Sequence, residues 1–76
     1  MNAPFKPPAP TGTREELRDF IAENLATCLT HLSHGIDYAS DGSDAALGYA
    51  LRSAYACLGA AVTTYGDLMK RKAANG

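Results

Sequence analysis

Proline is missing from all but the first ten residues, where Pro4, Pro7, Pro8 and Pro10 stand together. Beyond Pro10 nothing locks φ or withholds a backbone N–H, so long uninterrupted helices are free to form. The same prolines push their predecessors out of the helical region and predict an extended, flexible arm over residues 1–12. The arm lacks the continuous apolar stretch of about 7–15 residues that marks a secretory signal, which points to a cytoplasmic chain. Tryptophan is absent, and with only two Phe and four Tyr any core must come mostly from Leu and Ala. A basic excess is lacking too: seven Lys and Arg face eight Asp and Glu, for a formal charge of −1. That balance argues against DNA or RNA as a partner. Only Cys28 and Cys57 are present, at a spacing that fits no zinc or CxxC pattern. They are expected to be reduced and to pack as small apolar groups.

What the chain does contain is helical periodicity, with no alternating strand pattern anywhere. Thr13-Arg-Glu-Glu16 has the form of a capping box, and Glu15, Glu16 and Asp19 lie near the positive end of the helix dipole. Leu17, Ile21, Leu25, Cys28, Leu29 and Leu32 follow at spacings of three and four, with Phe20 widening the stripe. Gly35 is the first strong stop signal, so the first helix is expected over about 14–34. Residues 35–43 hold the turn formers, Asp41-Gly42-Ser43 above all. A second helix is expected over about 44–72, with Lys70, Arg71 and Lys72 at its negative end. The predicted fold is all-α: an antiparallel two-helix hairpin domain over 13–72, with a short tail at 73–76. With residue 36 opposite residue 44, facing positions sum to about 80, so Cys28 faces Arg52, Cys57 faces Glu23, and no bridge forms within a chain.

The second helix carries two apolar faces. Leu47, Leu51, Ala54, Leu58, Ala61, Val62, Tyr65 and Leu68 make the larger stripe and are expected to meet the first helix. A second stripe of small residues includes Ala45, Gly48, Ala56, Gly59, Ala60 and Thr63. Small side chains let backbones approach closely, so this stripe is expected to pack on a symmetry mate and build a helical-bundle homo-oligomer. A hairpin below about 70–80 residues rarely gains more than 3–5 kcal/mol from its own core, which also favours assembly. A membrane span is the rival use of the same stretch, and Arg52 near its middle argues against it.

Chemistry-bearing residues are few. His31 and His34 are spaced i, i+3 with Asp37 following, but no Glu or Cys completes a metal set, so neither metal nor cofactor is expected. Ser33, His31 and Asp37 lack any nucleophile motif, and no enzyme is expected. Arg52, a lone cation in an apolar tract, needs an acceptor. One candidate is a salt bridge to Glu23 or to a neighbouring subunit. The other is a ligand anion, with Tyr49 on the same side of the helix to stack a base. A second place for an anion is the arm and the start of the first helix, at Lys6, Arg14 and Arg18.

The run Leu51-Arg-Ser-Ala54-Tyr-Ala-Cys-Leu-Gly-Ala60-Ala61-Val62 resembles the second helix of small phage hairpin proteins that blunt CBASS and Thoeris immunity by sequestering nucleotide signals. Those proteins often carry Leu-x-x-Ala followed by Ala-Ala-Ile/Val after a short polar turn. The resemblance is closest over some 20 residues and extends as general pattern over 14–66. Arg52 and Ser53 stand where that family commonly has acidic residues, and Cys57 where it commonly has an aromatic. The resemblance implies an all-helical oligomer in the cytosol of an infected host, an anti-defence sponge that holds a cyclic oligonucleotide between protomers without hydrolysing it. The alternative, from another functional class, is a hairpin dimer that inhibits a host protein by direct binding.

Overall fold

The computed structural model describes residues 12–75 and the side chains as far as Arg71; the predicted arm falls almost wholly outside the described residues. The chain folds as two helices, α1 (Arg14–Asp41) and α2 (Asp44–Asn75), packed against each other, with no strand among the described residues. α1 starts where its capping box predicts. The Glu16 N–H donates to Thr13 Oγ1 at 3.0 Å, and the Thr13 N–H donates to Glu16 Oε1 at 2.9 Å. Two of the four orphan donors at the helix start are thereby satisfied.

The other end of α1 corrects the expectation. The helix does not stop at Gly35 but runs seven residues further, and Gly42 ends it in the left-handed region at φ 75°. The Ser43 N–H donates to the Tyr38 carbonyl at 2.9 Å and the Gly42 N–H to the Ala39 carbonyl at 3.3 Å. That pair of bonds is a Schellman closure. The Leu47 N–H then bonds the Ser43 carbonyl at 2.9 Å, so α2 begins at once and the turn is only Gly42-Ser43. α2 continues to Asn75, past its expected end near 72.

Gly35 survives inside the helix because it marks a close approach. A Cβ built on it would lie 3.6 Å from Ala50 Cβ and 3.8 Å from Leu47 Cδ1. This contact and the turn set the register: facing residues sum to about 85, not 80. The burial pattern repeats it as layers: Leu17 with Leu68, Ile21 with Thr64, Asn24 with Ala61, Cys28 with Cys57, His31 with Ala54, Gly35 with Ala50. Every layer contains at least one buried residue, and the spacing of four and three along each helix is that of an antiparallel coiled-coil seam. Cys28 Sγ confirms the level by donating to the Ala54 carbonyl at 3.5 Å.

The seam is narrow because its α2 side is built from small residues. Ala50, Ala54, Ala61 and Thr64 are buried along it, with Leu68 closing the open end. The expectation that the larger stripe meets α1 holds for Leu47, Ala54, Ala61 and Leu68, which are buried or half-buried, and fails for Leu51, Leu58, Val62 and Tyr65, which are all exposed. Between Arg14 and Arg71 stand seventeen Leu, Ile, Val, Met, Phe and Tyr residues, of which only Leu17 and Leu68 are buried and eleven are exposed. Small side chains bring the two backbones together; the large ones are left outside.

Candidate functional site

Helical geometry at 100° per residue sorts what lies outside the seam into two broad sides. On one, Leu25, Leu29, Leu32 and Ile36 of α1 run beside Leu51, Leu58, Val62 and Tyr65 of α2, all exposed. Near the turn the two rows frame an open cleft of about 400 Å³, lined by Leu32, Gly35, Ile36, Ala39, Leu47, Ala50 and Leu51, with His31 the only polar side chain. This lining suits an apolar side chain and offers nothing to an anion.

Tyr49 and Arg52 lie away from that side, three residues apart on α2. Tyr49 is 63% exposed, and Arg52 is exposed as well. The Arg52 guanidinium folds back along the helix, its Nη1 3.4 Å from where a Cβ on Gly48 would be. Gly48 thus leaves room for the cation to lie flat on the helix, one position from the tyrosine. The register removes the proposed ion pair with Glu23. Arg52 sits at the level of Ser33, and Glu23 lies ten residues, about 15 Å, further along α1. Among the described residues Arg52 makes no hydrogen bond. The pair is therefore an aromatic face next to a free guanidinium, a combination able to stack a planar ring and hold an anionic group.

Arg14 and Arg18 do not join that pair. Arg14 faces Arg71 at the open end of the hairpin, about 29 Å along the axis from Arg52. The Nε atoms of both Arg14 and Arg71 are buried without a hydrogen-bond partner. Lys6 lies outside the described residues. Of the small-residue stripe, Gly48 and Ala60 are half-buried, while Ala56, Gly59 and Thr63 face outward, with nothing within 4 Å of a Cβ built on Gly59. The stripe is open, yet the row of Leu51, Leu58 and Val62 on the other side offers far more apolar surface. The sequence reading missed that row as a surface. Spacing alone does not separate the two: Leu47, Leu51, Ala54, Leu58, Ala61, Tyr65 and Leu68 alternate by four and three just as Ala50, Ala54, Cys57, Ala61, Thr64 and Leu68 do, and the close approach of Gly35 to Ala50 selects the second set.

His31, His34 and Asp37 do not converge, and no group of three His, Cys, Asp or Glu side chains is placed to share a metal among the described residues. His34 instead stands beside Tyr38, ring centroids 6.3 Å apart and tilted by 52°. Cys28 and Cys57 are both free, the first buried and the second half-buried. Their shared layer removes the axial offset on which the expectation against a bridge rested. Thr64 is the one fully buried polar side chain among the described residues, and its Oγ1 has no partner. By length and composition alone α2 is apolar enough over Asp44–Arg71 to cross a membrane, with Arg52 inside that stretch. No family model, curated protein or solved structure matches the chain.

Proposed function

We propose that this chain is a non-enzymatic binding protein that assembles as a homo-oligomer and sequesters a cyclic nucleotide-type signal, as the phage sponges it resembles do. The observation that carries the reading is the Tyr49–Arg52 pair: a ring 63% exposed, next to a guanidinium with no acceptor of its own. Stacking on a tyrosine is worth about 1–3 kcal/mol per base, and a charge-assisted hydrogen bond to phosphate about 1.5–3 kcal/mol. Gly48 and Ala56 beside the pair leave space for a ribose or a second ring. No metal or cofactor enters this reading, because holding a signal requires no bond to break. The cytosol is the compartment in which such a signal would be met.

Isothermal titration of the full chain with a panel of cyclic di- and trinucleotides tests it. Binding by the wild type, weakened by about 1.5–3 kcal/mol in Arg52→Ala with no loss of unliganded melting temperature, is the expected result. No heat and no thermal shift with any member of the panel would discard the ligand. An unchanged affinity in Arg52→Ala would move the site, with Arg14 and Arg18 next to be replaced.

A second reading is favoured by the exposed leucine rows: inhibition of a host protein by direct contact. Apolar side chains of this size on one side of a hairpin are the usual furniture of a protein interface. The same titration separates the two, since a protein inhibitor leaves every nucleotide unbound.

A further inference from the structure

We infer that a second copy of this chain covers the leucine side, turned end for end, so that two hairpins close into an antiparallel four-helix bundle. The inference rests on that side alone and stands whatever Tyr49 and Arg52 bind. Size comes first. Nine large apolar side chains are exposed along the two rows and at Met69 beyond them. At roughly 100 Å² apiece they present about 900 Å², against about 800 Å² per partner in a standard stable interface.

Shape narrows the occupant. The surface is two parallel helical rows, extending from Leu25 to Ile36 on one helix and from Leu51 to Met69 on the other. A single peptide helix would fill the groove between the rows and leave their outer flanks wet. A second hairpin offers two rows at the same spacing, and a surface that matches itself is what a two-fold contact requires.

Charge chooses the orientation. Between its ends the leucine side is uncharged: Ala22, Ala26, Ser33, Ser40 and Gly66 fill the positions around the large residues. At its open end stands Arg18, with Arg14 and Glu15 to either side of it; at its turn end stands Asp44. Arg18 is level with residue 67 of α2, so the midpoint between it and Asp44 falls near residue 56, opposite Leu29. A two-fold axis through Leu29 therefore sets Arg18 of each hairpin beside Asp44 of the other and runs through the middle of the apolar rows. The parallel alternative would gather both Asp44 side chains at one end of the dimer and the arginines of both chains at the other.

The test is solution mass of the full chain, read by light scattering and sedimentation between about 1 and 100 μM, with circular dichroism alongside. Two chains, or about twice the 8.0 kDa monomer, are expected, dissociating on dilution together with a fall in melting temperature. Leu29 is 67% exposed, so Leu29→Glu spares the seam and should yield a helical monomer. Should that variant lose its helices instead, the wild-type dilution series still decides. For orientation, Arg18→Glu should weaken the dimer at least tenfold and Arg18→Glu with Asp44→Lys should recover it. A wild type of 8.0 kDa at 100 μM overturns the inference, as does Leu29→Glu with unchanged mass. Sedimentation of a monomer with phosphatidylcholine–phosphatidylglycerol vesicles would give the surface to a membrane instead. Failure of the charge swap to rescue overturns the end-for-end arrangement.

Discussion

The seam and the leucine side of this hairpin invert the usual division of labour. Inside the seam, Ala50, Ala54 and Ala61 face Gly35, His31 and Asn24; outside it, Leu29, Ile36, Leu58 and Val62 stand exposed. Close approach explains the first. An alanine buries little area, but small side chains let the backbones come near enough for many dispersion contacts at once. The second follows from the first: a seam that narrow admits facing leucines only at its open end, where Leu17 meets Leu68, so the other large side chains are available for something else. The comparison teaches that in a two-helix protein the size of a side chain does not say which way it points.

Overpacking the seam should break this arrangement most severely. Ala50→Leu drives a branched side chain into Gly35 and should cost about 3 kcal/mol or more in denaturant unfolding, whereas Leu51→Ala, one residue away and outside, should cost the hairpin itself far less. If the two losses are equal, the seam does not run through Ala50.

Nearly as large is the effect of tying the seam at its centre. Cys28 and Cys57 share a layer one heptad from Gly35 and Ala50, where the Cβ positions lie 3.6 Å apart, within the range a disulfide spans. Treating the folded protein with diamide should remove two hydrogens per chain and raise the unfolding free energy by about 3 kcal/mol. A chain that stays reduced when folded, yet oxidises once denatured, would return the register to the value first expected.

Thr64 offers a smaller, opposite change. Its hydroxyl is fully buried and unpartnered, so Thr64→Val keeps the shape, removes the orphan, and should stabilise by about 1 kcal/mol. Chemical denaturation reads the sign directly; a destabilised valine variant would mean that the hydroxyl has a partner in solution. Last comes Thr13→Ala, which opens the capping box at the end of the hairpin remote from the turn and should cost about 1 kcal/mol, with faster amide exchange confined to the first turn of α1.

The helices themselves were legible: Thr13 and Glu16 announce the start of α1, and apolar spacing carries both elements. Gly35 was not. A glycine in a helical pattern signals an end or a close approach with the same residue, and only a partner backbone decides between them. Gly42 held the clue, because a glycine just after Asp41 closes a helix in the left-handed region without a second stop being needed. The contents of the seam were hidden for a related reason. Ranking stripes by side-chain volume favours leucine, while the contact selected smallness, at Gly35 and Ala50 above all. Tyr49 and Arg52 were legible as a pair because their neighbours are apolar or small.

The turn has a consequence for how this fold tolerates change. α2 carries two apolar sectors set about 100° apart on its circumference, one centred on Ala50, Ala61 and Leu68, the other on Leu51, Val62 and Met69. One residue of helix subtends that same angle. Gly42-Ser43 leaves no slack between the two helices, so turn length acts as an indexing pin that selects which sector faces inward. Losing one residue there would index α2 by one sector and draw Leu51, Leu58 and Val62 toward a gap sized for alanine, while gaining one would turn Tyr49 and Asp67 toward it. Substitutions across the leucine side are therefore far safer for the hairpin itself than a single-codon change in the length of its turn.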